Sequence, residues 1–324
     1  MATRTDAMAI ATIDRAEKRS LIGLYLELAK ARLSALVVLT SAAGFVMATP
    51  AGSAGIDWIR LLLMVTGTAL TAGGANAMNQ FMEIRRDALM VRTRHRPLPS
   101  GEMSPAHALV FAMATAYGGL AILGLTVNLA AAGLALATIL IYVLLYTPLK
   151  TRSTLNTLVG AVCGAIPPMI GWVAVSGRLD PGAWILGALL FVWQIPHFFA
   201  LAWMYREDYA RGGFVMLPVR DPNGRLTGQV VVLTSLALVP LGLAATLWGL
   251  AGIVYAVGSV ALGLWLVYAG MKLYLTRSHA SARGLFLASI AYLPLLLGLM
   301  IIDRNPAPGR AGTTVASLTV DAGG

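Results

Sequence analysis

Residues Asn79–Gly101 read NQFMEIRRDALMVRTRHRPLPSG, and this stretch decides what kind of molecule the chain makes. It follows an apolar run from Leu61 to Met78 and packs Glu83, Asp87 and five arginines into a short space. Asn79, Glu83 and Asp87 recur every four residues. At about 100° per residue they fan over roughly 80° of one helix face. That spacing aims oxygen donors at one point and suits a hard cation. Mg²⁺ held by one or two carboxylates completes its shell with water and substrate phosphate oxygens. Arg92, Arg94 and Arg96 come next, and the guanidinium fork is the natural partner of phosphate. These residues point to a Mg²⁺–diphosphate site at the mouth of a membrane helix. On this stretch alone a plainer reading stays open. Arginines beside an apolar helix also serve as a cytosolic anchor.

The surrounding composition sets the solvent. Of 324 residues, 58% are hydrophobic and 12% charged, where a soluble domain has about a quarter charged. The chain reads as all-α and polytopic in a lipid bilayer. Its net charge of +10 does not point to nucleic acid, because the basic residues fall between apolar runs, where topology and anionic lipid account for them. The single cysteine, Cys163, excludes an internal disulfide and any paired-cysteine metal motif. Residues 1–20 have no apolar core before a cleavage site, and Asp6, Asp14 and Glu17 are foreign to a mitochondrial transit peptide. The expectation is a bacterial inner-membrane protein.

Nine runs are long enough to span, at about 20 residues each: Leu33–Thr49, Trp58–Met78, Ala106–Thr126, Leu129–Tyr146, Leu155–Val175, Ala183–Trp203, Thr227–Trp248, Ala251–Tyr274 and Leu285–Ile302. Residues 1–324 read as one transmembrane domain, with 1–20 and 303–324 as disordered ends. Basic residues crowd the amino-terminal segment and every second loop. The amino terminus and the charged loops are therefore expected in the cytoplasm, and the carboxyl terminus outside. The second and sixth spans both end in a loop of acids, arginines and a Pro/Gly-rich exit. This weak repeat predicts two helical bundles around a shared cavity, an arrangement also used by transporters.

The second such loop, Phe191–Val219, reads FVWQIPHFFALAWMYREDYARGGFVMLPV. Helical spacing puts Gln194, His197 and Asp208 on one face within about 60°. Asp208 is the candidate ligand for a second Mg²⁺ and Arg211 a candidate diphosphate contact; an ion pair of Asp208 with Arg206 or Arg211 is the alternative. His197 sits in an apolar run, where polar groups are costly unless used. Bonding a neighbouring helix, touching a substrate or handling a proton are its three possible uses. Between the loops, YTPLKTRSTLNTLVGAVCGAIPPMIGW (Tyr146–Trp172) places Tyr146 and Lys150 where Pro148 is expected to stop the fourth span. Lys150 and Arg152 add charge to a diphosphate pocket or simply obey topology. Gly160, Gly164 and Gly171 allow a close neighbour. Phe81, Trp193, Phe198 and Trp203 are candidate aromatic walls.

The run Asn79–Gly101 resembles the first Asp-rich motif of the UbiA family of intramembrane prenyltransferases. ALMVRTRHRPLPSG and WQIPHFF are similar to the branch of that family that farnesylates haem. ELAKARLSALVVLTSAAGF (Glu27–Phe45) looks like its first helix, with Ala31 where a proline is common. Arg85 stands where the branch usually has an acid, and Gly212, not an acid, follows Asp208 by four. The resemblance covers almost the whole chain. It implies a bundle with a central cavity and a Mg²⁺-dependent transfer from farnesyl diphosphate to a vinyl group of haem b, water completing haem O. Asn79, Glu83, Asp87 and Asp208 would then be the catalytic metal ligands. Arg92, Arg94, Arg96, Tyr146, Lys150, Gln194, His197 and Arg211 would bind substrate. A downstream haem-modifying or oxidase-assembly protein is a further implied partner. Another aromatic prenyl acceptor, or transport without chemistry, are the competing readings.

Overall fold

The computed structural model describes residues 19–50 and 55–305. Most of the expected loose ends, residues 1–18 and 306–324, and with them most of the leader, lie outside the described residues; residues 19–20 and 303–305 do not, and they are held in place. At their edges, Ser20 caps the first helix by accepting from Gly23 N at 3.1 Å, and Arg304 Nη1 donates to Val46 O at 2.7 Å. Among the described residues nine helices are long and apolar enough to cross a membrane, and no strand forms beyond one isolated bridge, Ala251 to Arg304. Helices are what the solvent demands, since a spanning segment must satisfy every backbone polar group internally.

The spans are α2 (Ala31–Ala48), α3 (Trp58–Asp87), α4 (Pro105–Ile122), α5 (Leu129–Leu140), α6 (Asn156–Ser176), α7 (Pro181–Met204), α10 (Arg225–Leu247), α11 (Ile253–Thr276) and α12 (His279–Ile302). Short α1 (Leu21–Leu28), α8 (Arg206–Arg211) and α9 (Leu217–Arg220) join them. Starts and stops follow local chemistry. Asp57, Ser104, Asn128 and Ser278 each accept a hydrogen bond from the backbone N–H three residues on, satisfying donors that a helix leaves orphaned. Pro105 and Pro181 occupy first turns, where no N–H is needed.

Helix α5 runs on through π-helical Ile141–Tyr146 into Thr147–Leu149. Pro148 therefore does not stop the span where expected. The wide turn lies just ahead of the proline, and Thr147 Oγ1 donates to the Tyr142 carbonyl at 2.8 Å. Only after Leu149 does the chain turn away.

The bundle closes on itself. Helix α3 packs on α4, α2 on α6, α6 on α7, α10 on α11, and α12 on both α7 and α2. The largest apolar core joins α7, α10, α11 and α12 to faces of α2 and α6; smaller clusters hold α3, α4 and α5. Helices α2 and α6 meet backbone to backbone. A Cβ on Gly171 would lie 1.7 Å from Ser41 O, so only glycine permits this approach. Cys163 is buried and free.

Candidate active site

The first charged stretch keeps its register. Helix α3 is regular through Asp87, burying Asn79, Glu83 and Asp87 at 0, 4 and 1% exposure, while Arg85 faces out. Each of the three donors is met by a cation or its equivalent. Lys30 Nζ donates to Asn79 Oδ1 at 2.9 Å. Lys150 Nζ donates to both Glu83 oxygens at 2.9 and 3.1 Å. Arg96 Nη1 donates to Asp87 Oδ2 at 2.7 Å. Asn79 Nδ2 turns the other way, to Thr147 Oγ1 at 3.0 Å, locking its amide.

A cavity of about 310 Å³ opens beside this face. Lys30, Arg92, Arg96 and Lys150 line it against only two carboxylates, Glu83 and Asp87, so the surplus charge is positive. Its walls are Tyr142, Tyr146, Phe198, Tyr209, Phe214 and Phe286, with His197 between them. Lys150 Nζ sits 4.7 Å from the Tyr146 ring centre, a cation–π distance. Burial works against the Lys150 charge, but Tyr146 and Glu83 outweigh it and push the ammonium above its ordinary value.

Lys30 is a site residue that the sequence shows only as one more basic residue ahead of the first span. Helix α1 breaks at Ala29, and Gln80 and Asn76 on α3 donate to the carbonyls of Glu27, Leu28 and Ala29 at that end. Lys30 then takes a left-handed backbone, φ 49°, which sends its side chain into the cavity. Burial, with Arg96 and Lys150 close by, lowers its amine to about 7. The signal was in the sequence, in polar Asn76 and Gln80 inside an apolar helix.

The donor set fits a hard cation. Asp87 Oδ1 is buried without a hydrogen-bond partner among the described residues, an orphan that asks for a ligand. Asn79, Glu83 and Asp87 offer only oxygen, as Mg²⁺ prefers.

The second charged stretch departs from expectation. Helix α7 passes through Pro196 but ends at Met204; Tyr205 leaves helical geometry at φ −114°, ψ 24° before α8 begins. The face shared by Gln194, His197 and Asp208 therefore does not exist. Gln194 Nε2 donates to Leu190 O at 2.8 Å and Ala161 O at 3.4 Å, pressed against Gly164, where a Cβ would meet Gln194 Oε1 at 2.0 Å. It joins α6 to α7 and does not line the cavity.

Asp208 takes backbone donors instead of facing the carboxylates of α3. Val91 N and Arg92 N donate to its two oxygens at 3.0 and 3.1 Å, and Arg211 pairs with it. Burial raises the Asp208 carboxyl, yet Arg211 and these two N–H groups prevail and hold it below the usual range. Its two oxygens hold the 91–92 backbone, and Arg211 is its partner. These two residues line a second, outer cavity. Arg94 is exposed and donates to its neighbour His95 at 3.2 Å, outside both cavities.

His197 does face the inner cavity. Its ring stacks on Trp193 at 5.1 Å and Phe286 at 4.9 Å. Ser289 Oγ already donates to Phe286 O at 2.7 Å, so His197 Nδ1 is the donor in its 2.8 Å contact with Ser289. Nε2 remains as the nitrogen without a partner among the described residues. The last span thus supplies Phe286 and Ser289. Of the anticipated aromatic walls only Phe198 lines this cavity; Trp203 lines the outer one. Phe81 packs in the apolar cluster with Tyr25. Trp193 backs His197 and donates from Nε1 to Ser289 O at 2.9 Å.

Comparison with known proteins agrees with this architecture. Residues 37–290 match the UbiA prenyltransferase family. A protein of Solibacter usitatus named protoheme IX farnesyltransferase is 44% identical over 286 residues, covering 86% of this chain and 98% of its own. Human mitochondrial protoheme IX farnesyltransferase is 43% identical, over 89% of this chain and 63% of its own length. Among solved structures, a UbiA homologue of Archaeoglobus fulgidus bound to GPP and Mg²⁺ aligns at a TM-score of 0.64 and 16% identity, over 86% of this chain and 99% of that one. The chain belongs to the UbiA prenyltransferase family.

Proposed function

We propose that the protein transfers the farnesyl group of farnesyl diphosphate to a vinyl group of haem b, water completing haem O as pyrophosphate leaves. The observation that supports it best is the inner cavity, where a carboxylate face clamped by cations meets an aromatic wall carrying a histidine. The names of the relatives at 43 and 44% identity select haem and farnesyl among possible substrates. The inner-membrane location, cytoplasmic charged loops and external carboxyl terminus follow from the same reading and from the loop charges.

Asn79, Glu83 and Asp87 would hold Mg²⁺, which when bound supplies charge to neutralise the departing diphosphate. The cations now paired with those residues, Lys30, Lys150 and Arg96, would then turn to the phosphate oxygens. Arg92 adds a fourth from the loop that Asp208 clamps. Such preset charges stabilise the leaving group without reorganising solvent. As the bond between farnesyl C1 and oxygen breaks, the electron pair leaves with pyrophosphate. The allylic cation is shielded by Tyr146, Phe198 and Phe214, whose faces favour positive charge. The vinyl π electrons form the new carbon–carbon bond; water adds to the resulting cation beside the pyrrole and gives up a proton. His197, through Nε2, faces the porphyrin. Incubating purified protein with haem b, farnesyl diphosphate and Mg²⁺ tests the proposal: the haem O mass should appear, and its absence with active relatives run alongside would reject it.

A further inference from the structure

The proposed reaction joins two anions, a diphosphate and a porphyrin bearing two carboxylates, and anions that share one set of cations exclude each other. The molecule holds two sets. Lys30, Arg96 and Lys150 line the inner cavity. Arg206, Arg211 and Arg277 line an outer cavity of about 640 Å³ beside α8 and the α11–α12 turn, together with Glu207 and Asp208; Asp208 already pairs with Arg211, which leaves Arg206 and Arg277 as the cations open to a ligand. Arg92 alone lines both. It is fixed at the boundary by the rings of Tyr205 and Tyr209, 5.4 and 5.7 Å from its guanidinium carbon.

Resting on that reaction, we infer that the outer cavity receives the two carboxylates of the porphyrin, so that its vinyl edge enters the inner cavity beside His197. The shape of the substrate demands this polarity. The porphyrin is an amphiphile, and the outer cavity is the charged, open end, where Arg206 lies 5.0 Å over the Trp203 ring and Arg277 is exposed. The inner set cannot serve both anions, since its cations stand on the carboxylate face that the diphosphate needs.

Backbone geometry makes the same division. Among the described residues, Lys30 and Arg277 are the non-glycine positions with positive φ, at 49° and 50°. Each is a cation, one lining each cavity. Both residues stand at helix ends, where a left-handed backbone is a common cap, and both side chains turn to a cavity.

Haem absorbance on titration tests the inference, with haem b and its dimethyl ester as ligands in neutral detergent. Wild-type protein should prefer the diacid by about tenfold, the order expected for charge-assisted contacts at an open site. The Arg206→Gln/Arg277→Gln variant should bind the ester as wild type does and lose the preference. Its Mg²⁺-dependent binding of a non-hydrolysable farnesyl diphosphate analogue should be unchanged, which also reports correct folding. Equal wild-type affinity for acid and ester, or a preference that survives in the variant, overturns the inference. Loss of stabilisation by added phosphatidylglycerol with the preference intact assigns these arginines to lipid, and overturns it too. Wild-type protein that binds neither porphyrin removes the proposed reaction along with the inference, whereas turnover of haem b without discrimination removes the inference alone.

Discussion

The two charged ends of α3 and α7 look alike in sequence and behave differently in space. Each follows an apolar span, and each carries acids, arginines and a Pro/Gly-rich exit. Helix α3 continues nine residues past the apolar run, to Asp87, and its donors stay on one buried face. Helix α7 stops at Met204, and α8 sets off in a new direction from Tyr205. A polar residue's register is legible only as far as its helix runs. What ends α7 is not a proline, since Pro196 lies within it; the sequence MYRED carries no strong stop signal. The consequence is electrostatic: Glu83 and Asp87 stay on one buried face beside the inner cavity, paired with Lys150 and Arg96, whereas Asp208 accepts from backbone N–H groups.

The strongest way to break this contrast is to remove charge from the α3 face. Glu83→Gln and Asp87→Asn change little volume, and each should lower prenyl transfer by about a hundredfold or more, the loss typical when a preset electrostatic group is removed from a transition state. Membrane insertion should be intact. Near-normal initial rates at low Mg²⁺ would remove the metal face from the mechanism.

A smaller, split effect is expected from α7 and α8. His197→Ala should weaken haem b binding about tenfold and leave binding of a farnesyl diphosphate analogue unchanged, because the ring stands on the aromatic wall away from the carboxylate face. Asp208→Asn should do the opposite. It keeps an oxygen for one N–H but loses the charge that holds Val91, Arg92 and Arg211, so Arg92 drifts and the KM for farnesyl diphosphate rises about tenfold, in line with a charged hydrogen bond. Loss of kcat as deep as in Asp87→Asn would return Asp208 to the metal site.

Gln194→Leu sharpens the same comparison. An interhelical hydrogen bond within a membrane averages about 0.6 kcal/mol, so the variant should unfold slightly earlier on heating. Haem titration should match wild type. A tenfold loss of haem affinity would put Gln194 back at the substrate.

Most of the fold was legible because bilayer thickness and backbone satisfaction leave few choices: runs of about 20 apolar residues can only be helices. Their ends were less so. The last span was expected from Leu285 but begins at His279, because polar Ser281 and the exposed Arg283 mask its first turns. The α3 face was legible since its four-residue spacing and its regular helix agree. Lys30, Tyr142 and Phe286 were not, because each reaches the cavity from a different element, and only tertiary packing brings those elements together. Arg94 failed for a simpler reason. In a loop of successive turns, alternate arginines need not face one way, and Arg96 turns to Asp87 while Arg94 meets His95.

The smallest expected effect tests the part of the sequence reading that the fold bears out most directly. Position 85 lies between Glu83 and Asp87, and a chain that unwound there would bring its side chain among the ligands. The helix does not unwind: Arg85 is exposed while its neighbours two residues away on either side are buried. Arg85 forms no ion pair with another described residue, and the adjacent Arg86 is the one that reaches across, donating to Gly212 O at 3.1 Å. Arg85→Asp therefore places a carboxylate in solvent, where charge is screened over about 10 Å at ordinary salt. Haem O formation should stay within about twofold of wild type, and the residual change should shrink as ionic strength rises. A loss comparable to Asp87→Asn, at normal expression and independent of salt, would mean that α3 opens at Arg85 in the working enzyme and that the carboxylate face is built on another register.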